Sequence, residues 1–500
     1  VYRRSIYYGE KKMFYMLKSN IMFRHYESFG YITDNRNFGY VKSDGNGGFI
    51  GDKIVSHSGS IFLSALCQHP QHIKEIVKKI KLVFNNVETK VITNDVKDFY
   101  NILEQDGFIA SGNTEIECKD NDWKFSYELL ESRICNGRWD NNQIAINTDT
   151  QEFFENFYQN EYRLTNLHIE ISGKCNERCI HCYLPDKEKA KHIDTELFNS
   201  ILEQCRDMKV LHVTLTGGEP MLHPEFILFI KKCKEYNISV NILSNLTLLN
   251  EEIIQEMKAN GLLSIQTSLY SMNQDVHDSI TNVRGSFELT KKSILKIIEN
   301  NIPIQISCPI MKQNKNYYKD VLNWAKKHNI YVGYDYVIIG DCKNTMKNLS
   351  CRLSIDDVEE IIRDRIEIDG NYLDELKIEC EEKKKSKPDD IVCSVCHSSF
   401  CISENGNAYP CAGWHGYVIG NANNMSLNDI WNGSKNIQYL RNLRKKDFPK
   451  CIRCSDKDYC TMCMVRNANE NQSGNPLAVN EFYCKIAKIN RFMIQNSQDN

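Results

Sequence analysis

Beyond residue 160 the chain alternates two hydrophobic patterns. Short apolar runs that read as strands fall at Leu167–Ser172, Val210–Thr216, Ser239–Ser244, Leu263–Leu269, Ile302–Pro309 and Tyr331–Ile338. Between them, apolar residues recur at helical spacing over Asp194–Met208, Pro224–Tyr236, Glu251–Ala259, Ser286–Asn300 and Tyr317–His328. Such alternation predicts an α/β unit with a parallel sheet and right-handed crossovers.

A different pattern precedes it. Ile21–His25 and Phe29–Thr33 read as short strands, and Ser56–Cys67, Gln71–Phe84 and Asn94–Gln105 as helices, with Ser56 and Asn94 as caps. Small strands followed by three helices predict a winged-helix-like module over residues 1–112, and the third helix lacks the basic residues that DNA would need. Residues 113–160 read as a connection carrying an acidic-aromatic helix, Thr150–Gln159. The α/β unit takes 161–345. Residues 346–390 read as a second linker, its Glu381–Lys387 run solvated, and 391–500 form a third unit.

Five hundred residues suit about three domains. A net charge of −3 and a pI near 6.5 give no nucleic-acid footprint. No run approaches the roughly 18 apolar residues of a membrane span, and the first residues lack a signal peptide's apolar core, so a cytoplasmic location is expected. Cytosolic thiols seldom form stable disulfides, which leaves 21 cysteines to explain. Three lie within 175–182 and nine within 393–484, a clustering that favours metal. Cys205, Cys233 and Cys308 read as ordinary buried thiols.

Cys175, Cys179 and Cys182 sit on a loop leaving the first strand of the α/β unit. A cubane iron-sulfur cluster takes four thiolates, so three from one loop leave an iron open to a substrate or cofactor. A structural zinc site or three buried thiols are the competing readings. The second strand runs into Gly217-Gly218-Glu219-Pro220, where paired glycines let the backbone approach a ligand and the carboxylate can accept from an ammonium group. The two motifs, in this order and spacing, resemble the radical S-adenosylmethionine (SAM) enzymes. That resemblance implies a partial (β/α)6 barrel of the TIM type, with its site at the strands' C-terminal ends. It further implies that Cys175, Cys179 and Cys182 hold a 4Fe-4S cluster whose open iron chelates SAM, and that Gly217, Gly218 and Glu219 seat the cofactor's amino group. Ser244 and Asn245 fall where the family holds the ribose, Ser268 with Gln266 and Thr267 near the methionine part, and Arg284 within reach of its carboxylate. His181 stands where the family usually has an aromatic residue against the adenine.

The C-terminal cysteines are Cys393, Cys396, Cys401, Cys411, Cys451, Cys454, Cys460, Cys463 and Cys484. Two CxxC pairs at this spacing also suit zinc. The array resembles the SPASM domain of peptide-modifying radical SAM enzymes, which implies two auxiliary 4Fe-4S clusters and three clusters in all. By the family's interleaving, Cys451, Cys454, Cys460 and Cys484 hold the outer one, and Cys411 and Cys463 the inner one with Cys393 and Cys396. Cys401 is spare or replaces Cys396. The family spaces its last two cysteines by three residues. Here the gap is two, which makes Cys463 a departure.

Gly30–Asp34, Gly51–Lys53, Ser58–Leu63 and Asp106–Ile109 resemble the PqqD-like module that captures a leader peptide as an added strand. A dimerisation or purely structural domain is the alternative. Together these resemblances imply a maturase of a ribosomally made precursor peptide, with a reductant such as flavodoxin or ferredoxin as a second partner. Thioether formation is the first expectation. Formylglycine formation and carbon-carbon crosslinking or epimerisation are alternatives within the class, and an electron carrier or zinc-bound peptide scaffold is the alternative outside it.

Overall fold

The computed structural model describes residues 13–34, 52–122, 153–184 and 191–497. Most of the expected connection at 113–160 lies outside them.

Two three-stranded antiparallel sheets open the chain. Strands β1 (Phe14–Leu17), β2 (Met22–His25), β3 (Phe29–Thr33), β4 (Asp52–Ser56), β5 (Gln71–His72) and β6 (Ile109–Gly112) pair in the orders β5-β1-β6 and β2-β3-β4. Ser56 caps the helix His57–Ser64, accepting from Gly59 N. The third helix, Thr89–Gln105, begins after Glu88, so Asn94 lies exposed within it rather than at its cap. Its buried residues Ile92, Val96, Tyr100 and Leu103 keep helical spacing across Asn94, and this packing overrides the local cap signal.

Six parallel strands follow, β7 (Asn166–Ser172), β8 (His212–Gly217), β9 (Ser239–Leu243), β10 (Leu263–Ser268), β11 (Ile304–Pro309) and β12 (Tyr331–Asp335), adjacent in chain order. Alternation along each strand separates two faces. Leu167, Ile169, Ile171, Val213, Leu215, Val240, Ile242, Ile265 and Ile306 belong to the main core beneath the helices. The opposite face is polar, with bonds running from strand to strand. His212 Nδ1 meets Ser239 Oγ at 3.2 Å, Ser264 Oγ donates to Asn241 Oδ1 at 3.3 Å, and Gln305 Nε2 donates to Gln266 Oε1 at 2.9 Å. β12 stops short of the expected Ile338, because Asp335 Oδ1 accepts from Val337 N and turns the chain. A helix without an expectation, Gln274–Thr281, is capped by Asn273 and ends on a left-handed Asn282.

The stretch read as a linker at 346–390 carries two helices. Ile355–Ile368 starts from a Ser354/Asp357 capping box, and Tyr372–Lys384 takes in most of the charged run expected to be solvated linker. Three more strands, β13 (Ser399–Ile402), β14 (Asn407–Tyr409) and β15 (Gly420–Asn421), extend the barrel sheet. β13 lies parallel to β7, with Cys401 opposite His168, and β14 and β15 continue antiparallel.

The N-terminal sheets dock on the end of the barrel where its strands begin. Arg24, buried, donates to Val210 O and Asn237 O, and Met22, Tyr26, Tyr31 and Tyr158 form one cluster with Leu211 and Leu262. Chemistry at the strands' other end is therefore a barrel's height away.

Candidate active site at the barrel mouth

β7 ends at Ser172 and releases the three-cysteine loop. Arg178 N and Ile180 N donate to Thr281 O and Ile280 O, Asn348 Nδ2 to His181 O, and Cys342 N to Tyr183 O, so the loop is pinned from two sides. All three cysteines are half-buried. Cys179 Sγ approaches Glu177 Oε2 at 3.4 Å. Burial, then the charge of Glu177 and the thiols of Cys182 and Cys175, push the Cys179 thiol well up, which places the trio within electrostatic reach of one another. Glu177 is itself buried, and desolvation raises it to about 7.

The GGEP turn packs directly on that loop. Gly218 N donates to Ser172 O at 2.6 Å and Glu219 N to Lys174 O at 2.8 Å. A methyl group on Gly217, whose φ is +131°, would lie 2.0 Å from Ser172 O, and one on Gly218 would lie 2.3 Å from Lys174 O. The room the glycines make is thus filled by the chain's own loop, a physical reason for both that needs no ligand.

Glu219 is fully buried and joins the ends of two strands. Its carboxylate accepts from Met221 N at 2.9 Å, Ser244 Oγ at 2.8 Å and Asn245 N at 2.8 Å, while burial raises it to about 7. Asn245 Nδ2 donates in turn to Asn176 Oδ1 at 2.9 Å, within the cysteine loop. Gly217, Gly218, Glu219, Ser244 and Asn245 therefore form one structure with Cys175–Cys182. Ser268 follows on the polar face of β10, and Thr267 turns to the buried side. His181 Nε2 lies 3.4 Å from Tyr270 Oη, the rings edge to face, beside Cys179. Arg284 stands exposed in the turn after the helix Gln274–Thr281.

Sequence reasoning passed over a second set of polar groups. Glu170, 1% exposed on the polar face of β7, accepts from His415 Nε2 at 3.0 Å and Tyr183 Oη at 3.3 Å. His415 stacks on Tyr409 at 4.3 Å with an interplanar angle of 4°. Tyr183 is buried and pushed well up by desolvation, then by Glu170 and by thiols of both cysteine regions, Cys401, Cys182 and Cys411. The period-two alternation of His168 and Glu170 within an apolar run was the available signal.

The C-terminal thiols fall into two groups. Cys451, Cys454, Cys460 and Cys484 line one cavity of about 300 Å³. Cys393, Cys411 and Cys463 form the other, Cys411 feeling both of its companions and Cys393 feeling Cys463. Cys396 feels Cys393 and Cys411, and its backbone is left-handed at φ 60°. Cys401 is wholly buried in β13, and burial, then Glu170 and Cys411, push its thiol well up. Among the described residues no three His, Cys, Asp or Glu side chains close around a single ion. Cys205, Cys233 and Cys308 are fully buried thiols.

Residues 169–325 match the radical SAM superfamily, and residues 393–455 match an iron-sulfur cluster-binding domain, SPASM. The fold is a radical SAM core with a C-terminal SPASM domain. These two domains imply SAM and 4Fe-4S clusters as cofactors, and a thiol-rich loop at the barrel mouth with two further thiol groups is a donor set that fits them. The chain is 26% identical over 318 residues to the antilisterial bacteriocin subtilosin biosynthesis protein AlbA of Bacillus subtilis, covering 61% of this chain and 68% of that protein. An AdoMet-dependent heme synthase of Methanosarcina barkeri is 23% identical over 321 residues, covering 59% of this chain and 90% of the synthase. The crystal structure of Streptococcus suis SuiB bound to precursor peptide SuiA aligns with a TM-score of 0.56 at 16% identity, covering 94% of this chain and 99% of that one. No helix among the described residues is long and apolar enough to cross a membrane.

Proposed function

We propose that this radical SAM enzyme matures a ribosomally made precursor peptide by forming a thioether between a cysteine sulfur and a carbon. Cys175, Cys179 and Cys182 hold the catalytic cluster, and Gly217, Gly218 and Glu219 seat the amino group of SAM. Ser244, Asn245, Ser268 and His181 flank the remainder of the cofactor. Cys451, Cys454, Cys460 and Cys484 hold an outer auxiliary cluster. Cys393, Cys396, Cys411 and Cys463 hold an inner one, with Cys401 left as a core residue. When bound, the cofactors supply a 5'-deoxyadenosyl radical that removes a substrate hydrogen.

The observation that carries this reading is the bonding of the cysteine loop to the GGEP turn at the mouth of a polar-lined barrel. The peptide substrate draws support from AlbA, a bacteriocin biosynthesis protein, and from the overall fold shared with peptide-bound SuiB. The polar face gives a peptide hydrogen-bonding partners, and the apolar core behind it excludes water from the strand ends. Formylglycine formation, the second reading, needs no leader and would leave the N-terminal module without a role in recognition.

The test is anaerobic reconstitution with iron counting, then assay of 5'-deoxyadenosine with dithionite and SAM. About twelve irons, four per cubane, with reductant-dependent cleavage are expected. Cys179→Ala is expected to abolish cleavage, and normal 5'-deoxyadenosine from that variant overturns the assignment. Mass spectrometry of a coexpressed precursor peptide then reads the bond. A loss of two hydrogens with one thiol blocked is the thioether result, and conversion of a cysteine to an aldehyde is the formylglycine result.

A further inference from the structure

Arg441 stands in the last turn of the helix Lys435–Asn442 and is only 7% exposed. Its guanidinium lies against two aromatic rings, 4.5 Å from the centre of Tyr162 and 4.3 Å from that of Trp431. Nε donates to Cys396 O at 2.7 Å. Nη2 is also buried and has no hydrogen-bond partner among the described residues. An arginine keeps its charge at ordinary pH, and a buried charge is usually paired with an opposite one. Arg352 follows that rule through Glu470. Arg441 does not. Burial pulls its guanidinium below the ordinary value, and the groups that oppose this are the Cys396 thiol and the Tyr162 hydroxyl.

Cys396 needs support of this kind. Its backbone is left-handed at φ 60°, a conformation uncommon outside glycine, and it is held by Cys396 N donating to Ser399 O at 3.2 Å and by the bond from Arg441. Burial pushes the Cys396 thiol up to about 12, against the pull of Arg441 toward the thiolate. An arginine against aromatic rings is commonly a packing element. Packing accounts for the rings and the carbonyl, but it leaves a buried N–H and a full positive charge beside Cys396 without an anion. We propose that Arg441 is a positioning residue for the inner auxiliary cluster: Nε fixes the Cys396 backbone, Nη2 supplies a donor to a cluster sulfur, and the charge raises the cluster's reduction potential. The inference rests on the reading that Cys396 is a ligand of that cluster. Hydrogen bonds and charge around the sulfurs are the protein's means of setting such a potential. A fixed cation stabilises the form that carries one more electron. No bond is made or broken, and Arg441 keeps its proton throughout.

The experiment is a redox titration of the reconstituted full chain, read by electron paramagnetic resonance, with iron counted in every variant. The inner signal is the one that changes in Cys396→Ala. Full iron and unchanged signals in that variant overturn the ligand reading, and the proposal with it. In Arg441→Met the ratio of reduced to oxidised inner cluster at a fixed potential is expected to fall at least tenfold, about 59 mV for a one-electron couple, while the other two clusters titrate as in the parent. Arg441→Lys keeps the charge without the planar fork and is expected to stay within threefold of the parent. A parental inner potential in Arg441→Met with full iron overturns the proposal. So does an equal fall in the Met and Lys variants, which would mark Arg441 as packing alone. Should Arg441→Met load iron poorly, Arg441→Gln, which keeps a donor but no charge, takes its place, with the same fall expected and a parental value overturning.

Discussion

The Ser244 hydroxyl and the Asn245 amide donate to opposite oxygens of Glu219, each at 2.8 Å, so one buried carboxylate ties the end of β8 to the end of β9. Glu219→Gln keeps the size but turns an amide NH2 toward a donor. Leaving a buried donor unpaired costs about 1–3 kcal/mol. Urea unfolding should show that loss, and isothermal titration should show weaker SAM binding. Parental values in both would mean that the carboxylate's charge and geometry are dispensable.

Gly218→Ala forces a methyl group against Lys174 O, 2.3 Å away. Lys174 adjoins Cys175, so relief of the clash moves the cysteine loop. Overpacking of this sort costs about 1–3 kcal/mol. Reduced iron incorporation is expected together with a lowered melting temperature.

Burial holds His212 down to about 3, with His168 adding to the effect. The unfolded chain takes up this proton near pH 6.5, the ordinary value for histidine, whereas the fold refuses it. Stability from this residue is therefore complete above about pH 6.5 and lost progressively as pH falls toward 3. Between pH 7 and 5 the loss is about 2 kcal/mol. His212→Gln should lack that part of the pH dependence, as measured by urea titration of both proteins at the two pH values.

Arg352 and Glu470 form a buried two-pronged pair, Nη1–Oε2 2.8 Å and Nη2–Oε1 2.5 Å, with the guanidinium over the Phe482 ring. It joins the segment after the barrel to the C-terminal domain. Arg352→Ala strands a buried carboxylate and should cost about 3–5 kcal/mol, whereas Arg352→Met with Glu470→Leu should recover most of it. Chemical denaturation of the single and double variants measures both.

Cys454→Ala removes one thiol from the four-cysteine cavity. Iron content should fall by about four per chain. Formation of 5'-deoxyadenosine should continue while peptide product stops. Unchanged product yield would deny the outer site a part in turnover.

Much of this architecture could be read from periodicity, because each barrel strand buries one face under helices and each crossover helix carries its own apolar stripe. Val213, Leu215, Val240 and Ile242 declare that core plainly. What escaped was governed by distant partners. Asn94 is a good cap by local chemistry, but Ile92 and Val96 pull the helix past it. The helix Gln274–Thr281, whose C-terminal carbonyls pin the cysteine loop, is short and mostly polar. The cysteine motifs announced themselves by spacing. Glu170 and His415, 245 residues apart, meet only in the folded chain.

The parallel pairing of β13 with β7 bears on how such proteins can be taken apart. A fragment ending before residue 399 would leave Asn166–Ile169 of β7 as an unpaired edge, an invitation to aggregate. Cut and paste between relatives therefore has a natural seam after β15 rather than before β13. The thiol-bearing C-terminal region is less an accessory to the barrel than a continuation of its sheet, so the strand that releases the three-cysteine loop is covered on that side by β13.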